Sequence, residues 1–281
     1  MTTTLTRART IAPKSFRYAF DRGVATITLA RPERLNSLTF EVYTELAEVM
    51  KELNHHDEVR AVVLTGEGRG FCSGGDVEEI IGELFAHGAK GLLEFTRITG
   101  DLIASIRRLR RPVIAAVNGV AVGAGAVISI ACDFRIASES VKFGFIFPRV
   151  GLCGADMGAT YLLPRIVGLG RASELLFLGD VVGAEDALRM GLVSRVVPQE
   201  ECIAAARALA DRLASGPAFA HAMTKQMIES EYTMPLEAAI EAEAQAQALC
   251  MQHSDFRTAY DGWSQKKPIV FAGADGPFQA K

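Results

Sequence analysis

Gly66-Glu67-Gly68-Arg69-Gly70-Phe71-Cys72-Ser73-Gly74-Gly75-Asp76 and Asn118-Gly119-Val120-Ala121-Val122-Gly123-Ala124-Gly125 are two glycine-rich turns of one layout, and their reading decides the fold. Each follows a short apolar run, Arg60–Thr65 and Pro112–Val117, of the kind that forms a buried strand. Each leads toward a helix, one starting at Val77 and one spanning Ala126–Cys132. Consecutive small residues let a ligand approach the backbone closely. The first N–H groups of a helix lack intrahelical partners and can face developing negative charge. Taken singly, each turn is first of all a structural bend. The second lacks the third glycine of a dinucleotide loop, and no suitable acid follows about 20 residues on. No G-x-x-x-x-G-K occurs either, so Rossmann and P-loop readings are poor.

Outward from the turns, strand and helix signals alternate. Phe16–Ala30 reads as two strands around Asp21-Arg22-Gly23. Thr39–Asn54 reads as a helix capped by Thr39, with Val42, Leu46, Val49 and Leu53 on one stripe. Leu102–Leu109 is an amphipathic helix, and Phe134–Ala137 and Val141–Phe143 are strands. From Ala155 the chain is mostly helical. Such alternation implies a parallel α/β sheet with crossover helices. The expected organisation is a flexible tail over residues 1–14, an α/β core over 15–200 and a helical region over 201–281.

Composition narrows the function classes. At 281 residues a large core is available. Net charge is −3, and the densest basic stretch is Arg107-Arg108 with Arg110-Arg111. A nucleic-acid partner, which wants a broad basic face, is not expected. No run reaches the ~18 apolar residues of a membrane span. The five cysteines are scattered without a C-x-x-C pair, so no zinc motif is expected. Cys72, Cys132 and Cys153 read as buried thiols, and a reducing, cytoplasmic setting fits. His55-His56 lie in a polar turn and the other histidines are isolated, so no metal site is expected. The Thr/Arg-rich segment Met1–Lys14 has no apolar signal core; it reads as a frayed tail, with a short transit-like peptide as the other reading.

The two turns do not stand alone. R-P-E-R-L-N-S-L (Arg31–Leu38), A-C-D-F-R-I-A (Ala131–Ala137), G-L-V-S-R-V-V-P (Gly191–Pro198) and the C-terminal W-S-Q-K-K-P-I-V-F-A-G accompany them in order. Together these segments resemble the enoyl-CoA hydratase/isomerase (crotonase) superfamily over about residues 16–275. The resemblance implies a crotonase-like (ClpP/crotonase) α/β fold of repeated ββα units. It also implies a helical C-terminal trimerisation region and a homotrimer or dimer of trimers. The substrate it implies is an acyl-CoA thioester, with coenzyme A part of the substrate and no separate cofactor. It assigns an oxyanion hole to the backbone N–H groups of Ser73 and Ala124, the Ser73 hydroxyl being incidental. Contacts to CoA and substrate carry over to Arg34, Leu35, Gly74, Gly75, Asp76, Gly123, Phe147 and Lys267. The motif-poor stretch Ile80–Thr99 is then expected to be a mobile flap over the acyl group.

One departure matters. Hydratases of this superfamily use two glutamates on water, and those positions hold Val127 and Phe147, which cannot move a proton. The carboxylate left in a suggestive place is Asp156, among small and apolar residues. It reads as a helix cap, as the base of an isomerase, or as a nucleophile. The second role resembles dienoyl-CoA isomerases. The third resembles 4-chlorobenzoyl-CoA dehalogenases, whose spacing recurs from Asp156 to Arg165-Ile166-Val167-Gly168. Beside Val127, Phe147 and Met157 its pKa is expected to rise, with Arg149 as the nearby charge that would oppose this. Phe143, Phe145 and Phe147 read as core packing, or else as an acyl pocket. The leading expectation is a hydratase/isomerase-type reaction with Asp156 as sole acid/base. An Asp156-nucleophile hydrolase or dehalogenase, and a non-catalytic acyl-CoA- or RNA-binding homologue, stand as alternatives.

Overall fold

The computed structural model describes residues 8–272. β1 (Phe16–Asp21) and β2 (Val24–Leu29) pair antiparallel, with Arg22 and Gly23 at φ 47° and 78° making the tight turn. α1 (Phe40–Glu52) follows, and the Thr39 hydroxyl accepts from the Val42 N–H at 3.4 Å as its cap. Its apolar stripe buries Val42, Leu46, Val49 and Met50, together with Tyr43.

Three strand pairs then repeat one plan. β3 (Ala61–Gly66) and β4 (Gly70–Cys72) precede a short π-helical turn, Val77–Gly82, and α2 (Ala89–Arg108). β5 (Val113–Val117) and β6 (Val120–Val122) precede α3 (Ala124–Ala131). β7 (Phe134–Ser138) and β8 (Lys142–Gly144) precede α4 (Ala159–Val167). α5 (Leu169–Leu178), β9 (Val181–Val182), α6 (Ala184–Arg189) and β10 (Arg195–Val197) continue the chain. α7 (Cys202–Ala214), α8 (Ala218–Ser230), α9 (Leu236–Gln252) and α10 (Ser254–Gln265) follow.

The first strand of each pair enters a six-stranded sheet, β1-β2-β3-β5-β7-β10. The second enters a four-stranded sheet, β4-β6-β8-β9. Each pair therefore bends from one sheet into the other, and the repeated ββα plan is the observed architecture. From β2 to β10 the large sheet is parallel. β3 and β5 are buried along their whole length, which is why they read as unbroken apolar runs rather than alternating ones.

Several expectations need correction. The division after residue 200 does not separate α7 from the sheet. Cys202, Ala206, Ala210 and Ala214 form a stripe of small residues against Val24, Ala61, Val63, Ile114, Ala116 and Ile136. Their small size lets the helix lie close, and α7 closes one face of the core. Within Ile80–Thr99, the stretch expected as a flap, α2 starts at Ala89, and Phe95 sets its ring edge-on to Phe40 and Tyr43 at 5.3 and 6.1 Å. Of the flexible tail expected over residues 1–14, residues 1–7 lie outside the described residues, and Ala8 onward is tied down. Ala8 N–H donates to Glu58 at 2.6 Å, and Lys14 and Ser15 donate to Glu45 at 2.8 and 2.7 Å. Cys72 and Cys132 are buried, and burial pushes both thiols up to about 12; Cys153 is exposed instead. It sits in the turn carrying Asp156, where no sheet covers it. Among the described residues, no helix is long and apolar enough to cross a membrane.

Gly100 lies inside α2, and a Cβ built there meets nothing within 4 Å. Gly100→Ala is expected to stabilise the fold by about 0.5–1 kcal/mol through reduced unfolded-state entropy. A thermal melt should move upward by roughly 1–4 °C; an unchanged or lower midpoint would refute the assignment of an open helical site.

Candidate active site

The bend of each strand pair brings the two glycine-rich turns together. β4 and β6 run parallel, so the turns that leave them arrive side by side. A Cβ built on Gly74 would stand 3.1 Å from the Val122 carbonyl oxygen and 3.5 Å from the Ala124 nitrogen. Gly74 has φ 95° and Gly123 has φ 55°, left-handed values that suit glycine. Gly125 is tighter still: a Cβ there would lie 2.1 Å from the Cys72 carbonyl oxygen. These glycines are therefore the condition for contact between the turns.

Two asparagines hold the arrangement. The Asn118 amide donates to the carbonyls of Gly66 and Gly68, both at 2.8 Å. The Asn36 amide donates to Glu67 and Gly70 carbonyls at 2.9 and 2.8 Å. Both side chains satisfy backbone that the turn geometry leaves without a ladder partner. The sequence reading missed this role, although Asn within L-N-S-L and V-N-G is a residue type suited to bonding bent backbone.

The amide hydrogens of the two turns differ in whether they find a partner. The Ser73 N–H donates to the Leu35 carbonyl at 3.0 Å, and its hydroxyl donates to the Arg34 carbonyl at 3.1 Å. The Ser73 amide is thus committed inside the turn, and the expectation that it supplies a free donor is corrected. The Gly74 N–H points at the Cys72 sulfur at 3.4 Å. Leu38 bridges Gly75 in parallel: Leu38 N–H donates to the Gly74 carbonyl at 2.8 Å and Asp76 N–H to the Leu38 carbonyl at 2.9 Å. That pattern leaves the Gly75 N–H turned away from Leu38, and it has no partner among the described residues. Ala124, first residue of α3, likewise has an N–H without a partner among the described residues. The free pair is therefore Gly75 and Ala124.

Asp76 has a structural task. It accepts from the Glu78 and Glu79 N–H groups at 3.0 and 3.2 Å and from the Ser37 hydroxyl at 2.8 Å, with Arg31 at 3.2 Å. Burial alone would raise its pKa. The Glu79 amide, the Ser37 hydroxyl, the Glu78 amide and Arg31 outweigh that and hold it below the usual range. Arg34 pairs with Glu78 at 2.9 Å, and Leu35 takes the left-handed backbone at φ 50°. Phe147 is buried, as are Phe143 and Phe145. Lys267 is exposed beyond α10, its N–H on the Gly262 carbonyl at 2.9 Å.

Asp156 is half-buried in the turn before α4. It is not the cap of that helix: Gly158 occupies the cap position, and no side chain caps it. Burial pushes the Asp156 carboxyl above the ordinary aspartate range, and the Met157 N–H pulls it part of the way back. Arg149 does not counter this, because it pairs with Asp180 at 3.0 Å. Met157 and Gly158 both adopt left-handed backbone, at φ 48° and 83°. A methionine in that region is strained, and such strain concentrates where a side chain must be held in one direction. Val127 is fully buried, and neither it nor Phe147 carries a titratable group. Among the described residues no group of three His, Cys, Asp or Glu could hold a metal ion. Grooves of about 540 and 530 Å³ elsewhere share no lining residue with either turn.

The enoyl-CoA hydratase/isomerase family model matches residues 19–274. The chain belongs to the enoyl-CoA hydratase/isomerase family. It is 38% identical over 253 residues to the 1,2-epoxyphenylacetyl-CoA isomerase of Escherichia coli K12, covering 90% of this chain and 96% of that one. It is 35% identical over 248 residues to the short-chain-enoyl-CoA hydratase of Clostridium acetobutylicum, covering 88% and 93%. A crystal structure from Streptomyces coelicolor A3(2), assigned as an enoyl-CoA hydratase, superposes with TM-score 0.92 at 50% identity over 96% of this chain and 98% of that one. The hydratase/isomerase fold and the acyl-CoA chemistry of the family are thus the frame for the site.

Proposed function

We propose that this family member works on an acyl-CoA thioester whose carbonyl oxygen is held by the N–H groups of Gly75 and Ala124, with Asp156 moving the proton. The single observation that carries this reading is the pair of unpartnered amides on abutting turns. Preorganised amides aimed at one oxygen stabilise an enolate without reorganisation, and loss of one such donor typically lowers rate ~10²–10³-fold. Isomerisation of a 3-enoyl-CoA suits one base best. Asp156 takes a proton from C2, the resulting dienolate oxygen rests on the two amides, and the proton returns at C4. No atom is gained or lost. Burial supports this role, since a raised carboxyl pKa brings the base closer to the acidity it must match. The CoA portion is proposed to run past Arg34, Leu35 and the Gly74–Asp76 turn, with Phe147 beside the acyl group and Lys267 acting from an assembled neighbour.

Hydration is the second reading, favoured by the hydratase named among the relatives. A panel of 3-enoyl-, crotonyl-, dienoyl- and aryl-CoA thioesters tests both. The expected result is turnover of the 3-enoyl substrate with no covalent protein adduct. A mass increase on Asp156 during turnover would replace the base by a nucleophile, and no turnover of any thioester would leave a binding protein.

A further inference from the structure

Tyr43 lies on α1, in the stripe that otherwise packs the core. It is 2% exposed, and its ring stands edge-on to Phe95. Its hydroxyl differs from the rest of that stripe. It lies 3.8 Å from the place a Cβ on Gly75 would occupy, so it adjoins one of the two free amides. The Asp156 carboxylate and the Cys72 thiol both act on it electrostatically. The phenol has no hydrogen-bond partner among the described residues. Its oxygen is not among the sealed polar atoms that lack a partner, so it opens on accessible space where a bound molecule can meet it. The O–H thus adjoins the first turn and feels the Asp156 charge.

We propose that Tyr43 is a positioning residue whose O–H donates to one oxygen atom shared with Asp156: the water that adds at C3 of a 2-enoyl-CoA, or the 3-hydroxyl it becomes. This rests on the role given to Asp156 above. Val127 and Phe147 cannot hold water, and Tyr43 with Asp156 supplies a donor and an acceptor in their stead. The step balances. Water forms a bond from oxygen to C3 while the C2–C3 double bond opens toward the thioester oxygen. Asp156 takes one water proton and delivers it to C2, and the other stays in the product hydroxyl. Burial, then Cys72 and Asp156, push the phenol well above its usual pKa, so it remains a donor throughout.

Tyr43→Phe removes only the oxygen. Crotonyl-CoA hydration and 3-enoyl-CoA isomerisation should be measured on the wild type, Tyr43→Phe and Asp156→Asn. The ratio of hydration to isomerisation is expected to fall about tenfold in Tyr43→Phe, the worth of one hydrogen bond. Thermal midpoint should stay near that of the wild type. An unchanged ratio, or an equal fall in both reactions, overturns the Tyr43 role while loss of both in Asp156→Asn keeps Asp156 in place. A wild type that isomerises but does not hydrate also overturns it. Full activity of Asp156→Asn in both reactions removes Asp156, and the shared-oxygen pair with it.

Discussion

Gly125→Ala should lower kcat/KM by at least about a hundredfold, the scale of losing one oxyanion donor. The added methyl would stand 2.1 Å from the Cys72 carbonyl oxygen and 2.8 Å from the Cys72 carbonyl carbon and Cβ. None of these atoms is the far end of a flexible side chain, so relief requires the two turns to move apart. Overpacking of this kind destabilises by roughly 1–3 kcal/mol. The larger consequence is geometric, because the proposed sharing of one oxygen by the Gly75 and Ala124 amides requires the turns to abut. Steady-state kinetics and a thermal melt of Gly125→Ala beside Gly100→Ala check this. Wild-type turnover in the Gly125 variant would mean that contact between the turns is not needed for the chemistry.

Asp156→Asn should lower turnover by about 10²–10⁴-fold, the usual share of a positioned acid/base. It should also make the protein more heat-resistant at neutral pH. The sign follows from the raised carboxyl pKa. Below the ordinary aspartate range, folded and unfolded chains both carry the proton. Between that range and the higher folded value, only the folded chain keeps it, so stability falls as pH rises through the window. Above the folded value the full penalty of a desolvated charge remains. Asparagine never ionises and escapes it, so its advantage over the wild type should be present at neutral pH and close on acidification. Wild-type activity should rise with pH through a limb placed above the ordinary carboxylate range. An asparagine variant that melts earlier at neutral pH, or keeps its rate, would contradict the assignment of Asp156 as a buried base.

The extent to which the site was legible in the sequence follows from what its parts are made of. Strands β3 and β5 were legible because burial on both faces writes an unbroken apolar run. The turns were legible because only small residues permit the approach of Gly74 and Gly125 to their neighbours. Which amide stays free was not legible. It depends on the Leu35 carbonyl reaching Ser73 and on Leu38 bridging Gly75, contacts between segments about 40 residues apart that no local pattern records. Tyr43 was hidden for another reason: an aromatic residue on a buried stripe looks like core, and only the fold shows where its oxygen ends. α2 was read short at its N-terminal end because Ala89–Thr99 is largely exposed and so carries only part of an apolar stripe.

The register between β4 and β6 shifts between Gly70 and Cys72, which pair with Val120 and Ala121. Phe71 is the odd residue there, and it is fully buried. An extra residue in one strand turns everything after it to the opposite face. The face from which the chain leaves β4 into the first turn is therefore set at Phe71, by an insertion of one. A chain with the same turn composition but without that extra residue would enter the turn from the other side of β4.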